Sequence, residues 1–181
     1  MNTTRSRYDY LLLCGLLIFF HICDMLSTDF IIHYGNGLAV EANPVAAEAQ
    51  SGSGKKIILI RSVTIAAVLI GLFFSRINAD TLEVIKKYSS SQIMFGKISG
   101  ISNVIQWKLI IFCSIAVISI SRLIASISNI SGEFLRISIP IFLDKALNLE
   151  KLSQIYLGSV VISASLGLII LVVAWEFFRR G

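Results

Sequence analysis

Residues Asp24 to Pro44 read D-M-L-S-T-D-F-I-I-H-Y-G-N-G-L-A-V-E-A-N-P, and in this stretch a long apolar run turns polar and then ends. The run contains an aspartate well inside it, and Gly35, Gly37 and Pro44 follow. Glycine commonly ends a helix, and proline prevents its restart nearby. The stretch therefore predicts the end of a membrane helix that carries a charge where charge is costly.

The composition of the 181-residue chain is that of a membrane protein. It is 55% hydrophobic and 15% charged, with a mean hydropathy of +0.80, whereas soluble domains have roughly a quarter of their residues charged. The net charge of +5 comes from basic residues scattered at the ends of apolar runs, which argues against a nucleic-acid partner. Cys14, Cys23 and Cys113 all lie in apolar runs, which favours reduced thiols over a disulfide framework.

Four segments are long enough to cross a bilayer, for which roughly 20 apolar residues are needed. They run from about residue 10 to 33, 57 to 75, 109 to 128 and 153 to 175. The predicted fold is thus all-α: one membrane domain over residues 1–181, a four-helix bundle of transmembrane helices with short interfacial helices.

The connections between these segments carry weaker signals. In the loop 77–107, Asp80-Thr81-Leu82-Glu83 has the form of a helix start, and a short surface helix is expected to about Tyr88. The stretch Glu133 to Leu143 is too short to cross a bilayer and is interrupted by Pro140, so we expect the segment 132–151 to lie in the interface.

The basic residues predict the orientation. With the amino terminus inside, nine lysines and arginines fall on the cytoplasmic side and five on the other, which favours an inner-membrane protein with both termini in the cytoplasm. The nine are Arg5, Arg7, Arg76, Lys86, Lys87, Lys97, Lys108, Arg179 and Arg180, and the five are Lys55, Lys56, Arg136, Lys145 and Lys151.

Three of the predicted helices each carry one polar stripe. A charge in hydrocarbon costs at least roughly 2.5 to 3.5 kcal/mol, so we expect the intramembrane cluster Asp24, Arg61 and Arg122 to pair, with Glu41 as a further partner. The stripes are Cys14, His21, Asp24 and Thr28 in the first helix, Arg61, Thr64, Ala67 and Gly71 in the second, and Ser119, Arg122, Ser126 and Asn129 in the third.

Two interpretations of this cluster stay open. It fixes helix register and orientation, as a buried polar group does in some proteins, or it lines a pocket or path for a proton, an ion or a small polar ligand.

Metal ligands are few. Asp29 and His33 have the i, i+4 spacing of two ligands on one helix face, and His21 with Asp24 offers a second, equally incomplete set. The Asp-x-x-x-His spacing resembles part of the metal site of the membrane-bound copper monooxygenases, but the second histidine of that site corresponds to Ala46 here. We predict no metal and no other cofactor. The sequence also has no G-x-S-x-G, no phosphate-binding glycine loop and no H-E-x-x-H.

Two short motifs resemble an uncharacterised family of small prokaryotic integral-membrane proteins. They are Asp24-x-x-x-Thr28 and Gly37-x-x-x-Glu41-x-Asn43-Pro44, followed by a basic residue early in the next helix, Arg61. The resemblance covers about a quarter of the chain, and it implies four helices and no known activity. The family tends to have lysine where Arg61 stands, which keeps the charge but changes the hydrogen-bond geometry.

Small residues recur every four positions in two of the predicted helices. Such spacing lets helix backbones approach closely, either inside the bundle or at a docking face for another membrane protein. The residues are Ala67 and Gly71 in the second helix and Ser159, Ser163 and Gly167 in the fourth.

The first functional hypothesis is a non-enzymatic accessory or structural subunit, whose partners are the lipid bilayer and other membrane-protein subunits. The second is a carrier or channel-like protein that moves a proton, an ion or a small polar solute past the Asp/Arg cluster. A membrane enzyme is the third.

Overall fold

The computed structural model describes residues 3–34, 55–76, 79–89, 92–93, 102–147 and 152–180. In these residues the chain is all-α, as predicted, and forms six helices. They are α1 (Thr3–Tyr34), α2 (Lys55–Phe74), α3 (Ala79–Lys87), α4 (Asn103–Leu135), α5 (Ile139–Leu147) and α6 (Leu152–Arg180).

Three of the helices are long and apolar enough to cross a membrane: Tyr10–Ile31 in α1, Asn103–Leu135 in α4 and Gln154–Phe177 in α6. The apolar part of α2, Ile58–Phe74, is shorter. At a rise of 1.5 Å per residue it extends about 25 Å, against a hydrocarbon thickness of about 30 Å. Helix length thus supports three of the four predicted spans and leaves α2 short of the requirement.

The polar contacts between helices fix their relative directions. His21 contacts Ser119 and Thr28 contacts Asn129, so α1 and α4 run parallel. The contacts between α2 and α1 occur in the opposite order. Arg61, early in α2, bonds to Asp29, late in α1, whereas the Leu72 carbonyl, late in α2, accepts a hydrogen bond from Tyr10, early in α1. Helix α2 is therefore antiparallel to α1, as expected of consecutive helices in a bundle.

Helix α6 runs back towards the start of the chain. Near its beginning, Gly158 packs against Leu143 of α5, and near its end the Trp175 indole donates a hydrogen bond to the Tyr88 carbonyl. One end of the bundle therefore carries Tyr10, Leu72, Tyr88 and Trp175, and we call it the terminal end because α1 begins and α6 ends there. The opposite end, with Asp29, Arg61, Leu143 and Gly158, is called the distal end.

The apolar core lies in the terminal half of the bundle. Its members come from α1, α2, α3, α4 and α6 and from Ile93, which lies between α3 and α4, and the ring centroids of Tyr10 and Phe112 lie 6.5 Å apart at its edge. The core consists of Leu17, Val68, Leu72, Ile85, Ile93, Leu109, Phe112, Cys113, Ile115, Ala116, Leu171 and Trp175. Polar contacts are concentrated nearer the distal end.

Helix α4 is longer at both ends than the predicted segment 109–128. The Ser102 side chain accepts a hydrogen bond from the Ile105 backbone N–H and caps its beginning. At its end Arg136 adopts the left-handed conformation, with φ of 55°, and its N–H bonds to the Ser131 carbonyl. The helix therefore includes the polar residues Gln106, Lys108 and Ser131. The predicted segment excludes them because it follows hydropathy, whereas the ends of a helix are set by its caps.

Pro140 was expected to interrupt the segment after the third span, but it lies in the first turn of α5. There its missing N–H would have no helical partner in any case. The hydroxyls of Ser138 and Ser128 accept hydrogen bonds from the backbone N–H groups of Ile141 and Ile139, which caps the helix. The proline therefore helps to start a short helix.

Candidate functional site

A ladder of four polar contacts joins α1 to α4. The His21 Nε2 and Ser119 Oγ atoms share a hydrogen bond of 3.1 Å, and Arg122 Nη1 donates to Asp24 Oδ2 at 3.0 Å. Further along, the Ser126 hydroxyl donates to the Cys23 carbonyl at 3.2 Å, and Asn129 Nδ2 donates to Thr28 Oγ1 at 3.3 Å. We call these four contacts the polar ladder.

Helical periodicity explains why the ladder forms. Residues 21, 24 and 28 lie on one face of α1, and residues 119, 122, 126 and 129 lie on one face of α4. Because the two helices are parallel, equally spaced residues stay nearly level. The offset is 98 positions for the first two contacts and 101 for Thr28 and Asn129. Three of the four polar residues predicted on the first helix, His21, Asp24 and Thr28, thus contact polar residues predicted on the third span.

The Asp24–Arg122 pair is asymmetric in its burial. The Asp24 side chain is 12% exposed, whereas that of Arg122 is 42% exposed. One guanidinium nitrogen makes the contact, and the charge of Arg61 also acts on Asp24 from nearby. The carboxylate is therefore held inside the bundle while part of the guanidinium reaches its surface.

The expected partners of Arg61 are Asp24 and Glu41. The structure pairs Arg61 with Asp29 through two hydrogen bonds, and Glu41 lies outside the described residues. The Nη1 and Nη2 atoms donate to the two carboxylate oxygens of Asp29 at 2.6 and 2.5 Å. Sequence reasoning missed this partner because Asp29 is five residues from Asp24, which places it off the stripe that was used to select residues. The sequence did contain one indication of this pair. If the second helix is antiparallel to the first, its beginning lies level with the end of the first helix, where Asp29 stands.

The predicted cluster is thus two linked ion pairs, Asp24–Arg122 and Asp29–Arg61. The charges of the two pairs cancel, and Glu41, the further partner that the sequence predicts, lies outside the described residues. In the part of the chain that the structure describes, no buried side-chain nitrogen or oxygen is without a hydrogen-bond partner.

The candidate metal ligands are occupied by other contacts. His21 bonds to Ser119 and Asp29 bonds to Arg61, while the side chain of His33 is outside the described part. Among the described residues, no group of three or more His, Cys, Asp and Glu side chains is arranged to hold a metal ion.

The small residues predicted to pack helices are mostly in the interior. A Cβ atom added to Gly167 would lie 2.9 Å from the Val117 carbonyl oxygen, so α4 and α6 approach closely there. A Cβ added to Gly71 would lie 2.5 Å from the Ile115 side chain of α4.

The other three small residues differ among themselves. Ser163 is buried, and the half-buried Ser159 donates its hydroxyl hydrogen bond to the Ile155 carbonyl of its own helix. Ala67, one turn from Gly71, is exposed. The stripe on α6 is therefore used largely within the bundle.

Most of the motif that resembles the uncharacterised family lies outside the described residues. Gly37, Glu41, Asn43 and Pro44 all belong to residues 35–54, and only Asp24, Thr28 and Arg61 are described. These three belong to the ladder or to the ion pair beside it, and membership of that family stays a prediction.

No protein-family model matches this chain, and neither a curated protein nor a solved structure shows significant similarity to it.

Proposed function

We propose that this chain is a small, non-enzymatic inner-membrane protein that acts as a structural or accessory subunit of a larger membrane complex. The polar ladder is the observation that carries the proposal. Catalytic and transport sites need polar groups that are available to a substrate, whereas His21 and Asp24 are buried and bonded to α4. Groups used in this way specify one helix register at some cost in stability.

We propose further that α2 is the fourth span. Its full length of 20 residues extends about 30 Å, the thickness of the hydrocarbon. Its antiparallel packing on α1, between the Arg61–Asp29 and Leu72–Tyr10 contacts, supports the same arrangement. Four spans place both chain termini on one side of the membrane, and the excess of basic residues there favours the cytoplasm.

The small share of buried residues in α6 supports a subunit role. In its span 11% of the residues are buried, against 22% in α1 and 33% in α4. A peripheral apolar helix of this kind leaves a long surface that lipid or a neighbouring transmembrane helix can cover.

A second candidate, a carrier or channel-like protein, is favoured by one observation. The ion pairs are not fully enclosed, since the side chains of Arg122, Asp29 and Arg61 are 42%, 36% and 25% exposed. Intramembrane charges that reach a surface commonly mark the path of an ion or a proton.

Native mass spectrometry after purification in a mild detergent separates these functions. A fixed assembly with other chains, recovered at constant stoichiometry, is expected of an accessory subunit. A chain recovered only by itself contradicts the subunit role. In proteoliposomes, flux of protons or ions that disappears in Asp24→Asn, but not in a variant with an equally destabilising apolar substitution, would establish the carrier instead.

A further inference from the structure

Among the described side chains, positive charge is concentrated at the terminal end of the bundle. Six basic side chains lie there, against one acidic side chain, Glu176; the six are Arg76, Lys86, Lys87, Lys108, Arg179 and Arg180. The described side chains of the distal end are balanced, with Arg136 and Lys145 against Glu133 and Asp144, and the two intramembrane pairs cancel. In the part of the chain that the structure describes, the excess of positive charge therefore belongs to the terminal end.

Helix α3 carries part of this charge on a defined surface. Thr81 and Ile85, one turn apart, are buried, and Ile85 belongs to the apolar core. Lys86 and Lys87, in the last turn, are exposed, and so is Arg76, which precedes the helix. The helix is thus amphipathic, with its apolar side on the bundle and its lysines outside.

The position of α3 is fixed by the residue that follows it. The Trp175 indole of α6 donates to the Tyr88 carbonyl at 3.2 Å, and the Tyr88 side chain packs against the core. Lys87 Nζ lies 5.4 Å from the centroid of the Tyr88 ring, within the range of a cation–π contact. The two lysines are therefore presented from an anchored segment.

The terminal end also has the residues of a membrane–water interface. Both tryptophans of the chain, Trp107 and Trp175, lie there together with Tyr10 and Tyr88. Tryptophan and tyrosine are enriched at the depth of the lipid headgroups. The exposed Trp107 precedes Lys108, so an aromatic ring and a basic group are adjacent at this level.

The basic side chains of this surface are available to an external anion. In the described part of the chain, Arg76, Lys86 and Lys87 make no ion pair with a carboxylate, whereas Arg179 is paired with Glu176 at 2.7 Å. A phosphate at headgroup depth would meet three cations that have no carboxylate partner among the described side chains, beside an apolar helix bundle.

We propose that Arg76, Lys86 and Lys87 form a binding surface for the headgroups of anionic phospholipids. A headgroup fits better than a soluble phosphate, because the cations lie level with interfacial aromatic residues and next to apolar helices that receive the acyl chains. The inference rests on the proposed membrane location. It adds to that location a lipid class and the residues that select it.

The two tryptophans provide the measurement, because both report from the terminal end. The full chain is reconstituted into vesicles of phosphatidylcholine and phosphatidylglycerol in which one or the other lipid is brominated, and quenching of tryptophan fluorescence gives the relative affinity of the two lipids. Lys87→Gln and Lys145→Gln are matched variants, since each replaces an exposed lysine in the last turn of a nine-residue helix, at opposite ends of the bundle.

The wild type is expected to prefer phosphatidylglycerol several-fold, and the preference should weaken in 0.5 M salt. Each basic residue near an anionic surface contributes up to about fivefold, so Lys86→Gln with Lys87→Gln should lower the ratio several-fold. Lys145→Gln should leave it unchanged. A wild-type ratio near unity, or a ratio that the double variant does not lower, overturns the proposal.

Failure of the membrane location itself has a different signature. In that case the protein is released from the vesicles by an alkaline carbonate wash, whereas an integral protein without lipid preference stays in the vesicles and shows equal quenching by both lipids.

Discussion

Arg61 holds both carboxylate oxygens of Asp29, at 2.6 and 2.5 Å, and so joins the distal part of α2 to α1 across 32 positions of sequence. Arg122 makes one contact, of 3.0 Å, with Asp24 across 98 positions. The first pair joins consecutive helices and the second joins helices far apart in the chain. Together they determine how α1, α2 and α4 are aligned along the bundle.

This pairing predicts which substitutions compensate each other. Asp24→Asn should lower the free energy of unfolding by about 3 kcal/mol, because it leaves a cation without its buried partner. Asp29→Asn should cost less, about 1 to 2 kcal/mol, because the Asp29 side chain is 36% exposed, against 12% for Asp24. Unfolding in mixed micelles, followed by circular dichroism, measures both values.

Double-mutant cycles then test the assignment. The combinations Asp24→Asn with Arg122→Gln and Asp29→Asn with Arg61→Gln should show coupling of about 1 kcal/mol or more. The crossed combinations, Asp24 with Arg61 and Asp29 with Arg122, serve as controls and should couple more weakly. Equal coupling in all four would mean that the cluster has no specific pairing.

The buried hydrogen bond of the ladder can be tested with one substitution made at two sites of α4. Ser119→Ala leaves the His21 ring without its partner and should cost about 1 to 3 kcal/mol. Ser114 is exposed and bonds to the Ile110 carbonyl of its own helix, so Ser114→Ala should change the stability by less than about 0.5 kcal/mol. Similar losses at both sites would show that the His21 contact adds nothing.

Close approach of α4 and α6 predicts a contrast between two glycines. Gly167→Ala places a methyl group 2.9 Å from the Val117 backbone carbonyl, which cannot move aside, and should cost about 1 to 3 kcal/mol. Gly15 has nothing within 4 Å of the added atom, so Gly15→Ala should be neutral or stabilise the helix by up to about 1 kcal/mol. Thermal unfolding of both variants in the same detergent gives the comparison, and an equally stable Gly167→Ala contradicts the packing.

The topology predicts the side from which single cysteines are labelled. In a chain whose three native cysteines are replaced, Lys87→Cys and Arg180→Cys should react with a membrane-impermeant maleimide only after the cells are opened. Lys145→Cys, at the distal end, should react in intact cells. Thr3→Cys should be labelled from the same side as Lys87→Cys, because α1 and α2 both separate these positions. Labelling of positions 3 and 87 from opposite sides would show that α2 does not cross, while an exchange of all four patterns would reverse the orientation and keep the fold.

The sequence alone determined the all-α fold and the polar faces of the individual helices. Hydropathy is summed over about 20 neighbouring residues and helical periodicity is local, so both signals are present before any tertiary contact forms. For the same reason His21, Asp24 and Thr28 could be assigned to one face without knowledge of what that face contacts. Helix ends were less predictable, since the caps at Ser102 and Arg136 depend on single residues.

Only the tertiary structure decided which charges pair. Several neutral arrangements of Asp24, Asp29, Glu41, Arg61 and Arg122 have the same local pattern, and they differ in how far each helix is shifted along its neighbour. That shift is set by packing, including the approach of Gly71 to Ile115, over residues that are distant in sequence. Asp29 became the partner of Arg61 because antiparallel packing brings the beginning of α2 level with the last turns of α1, a relationship that no local spacing contains.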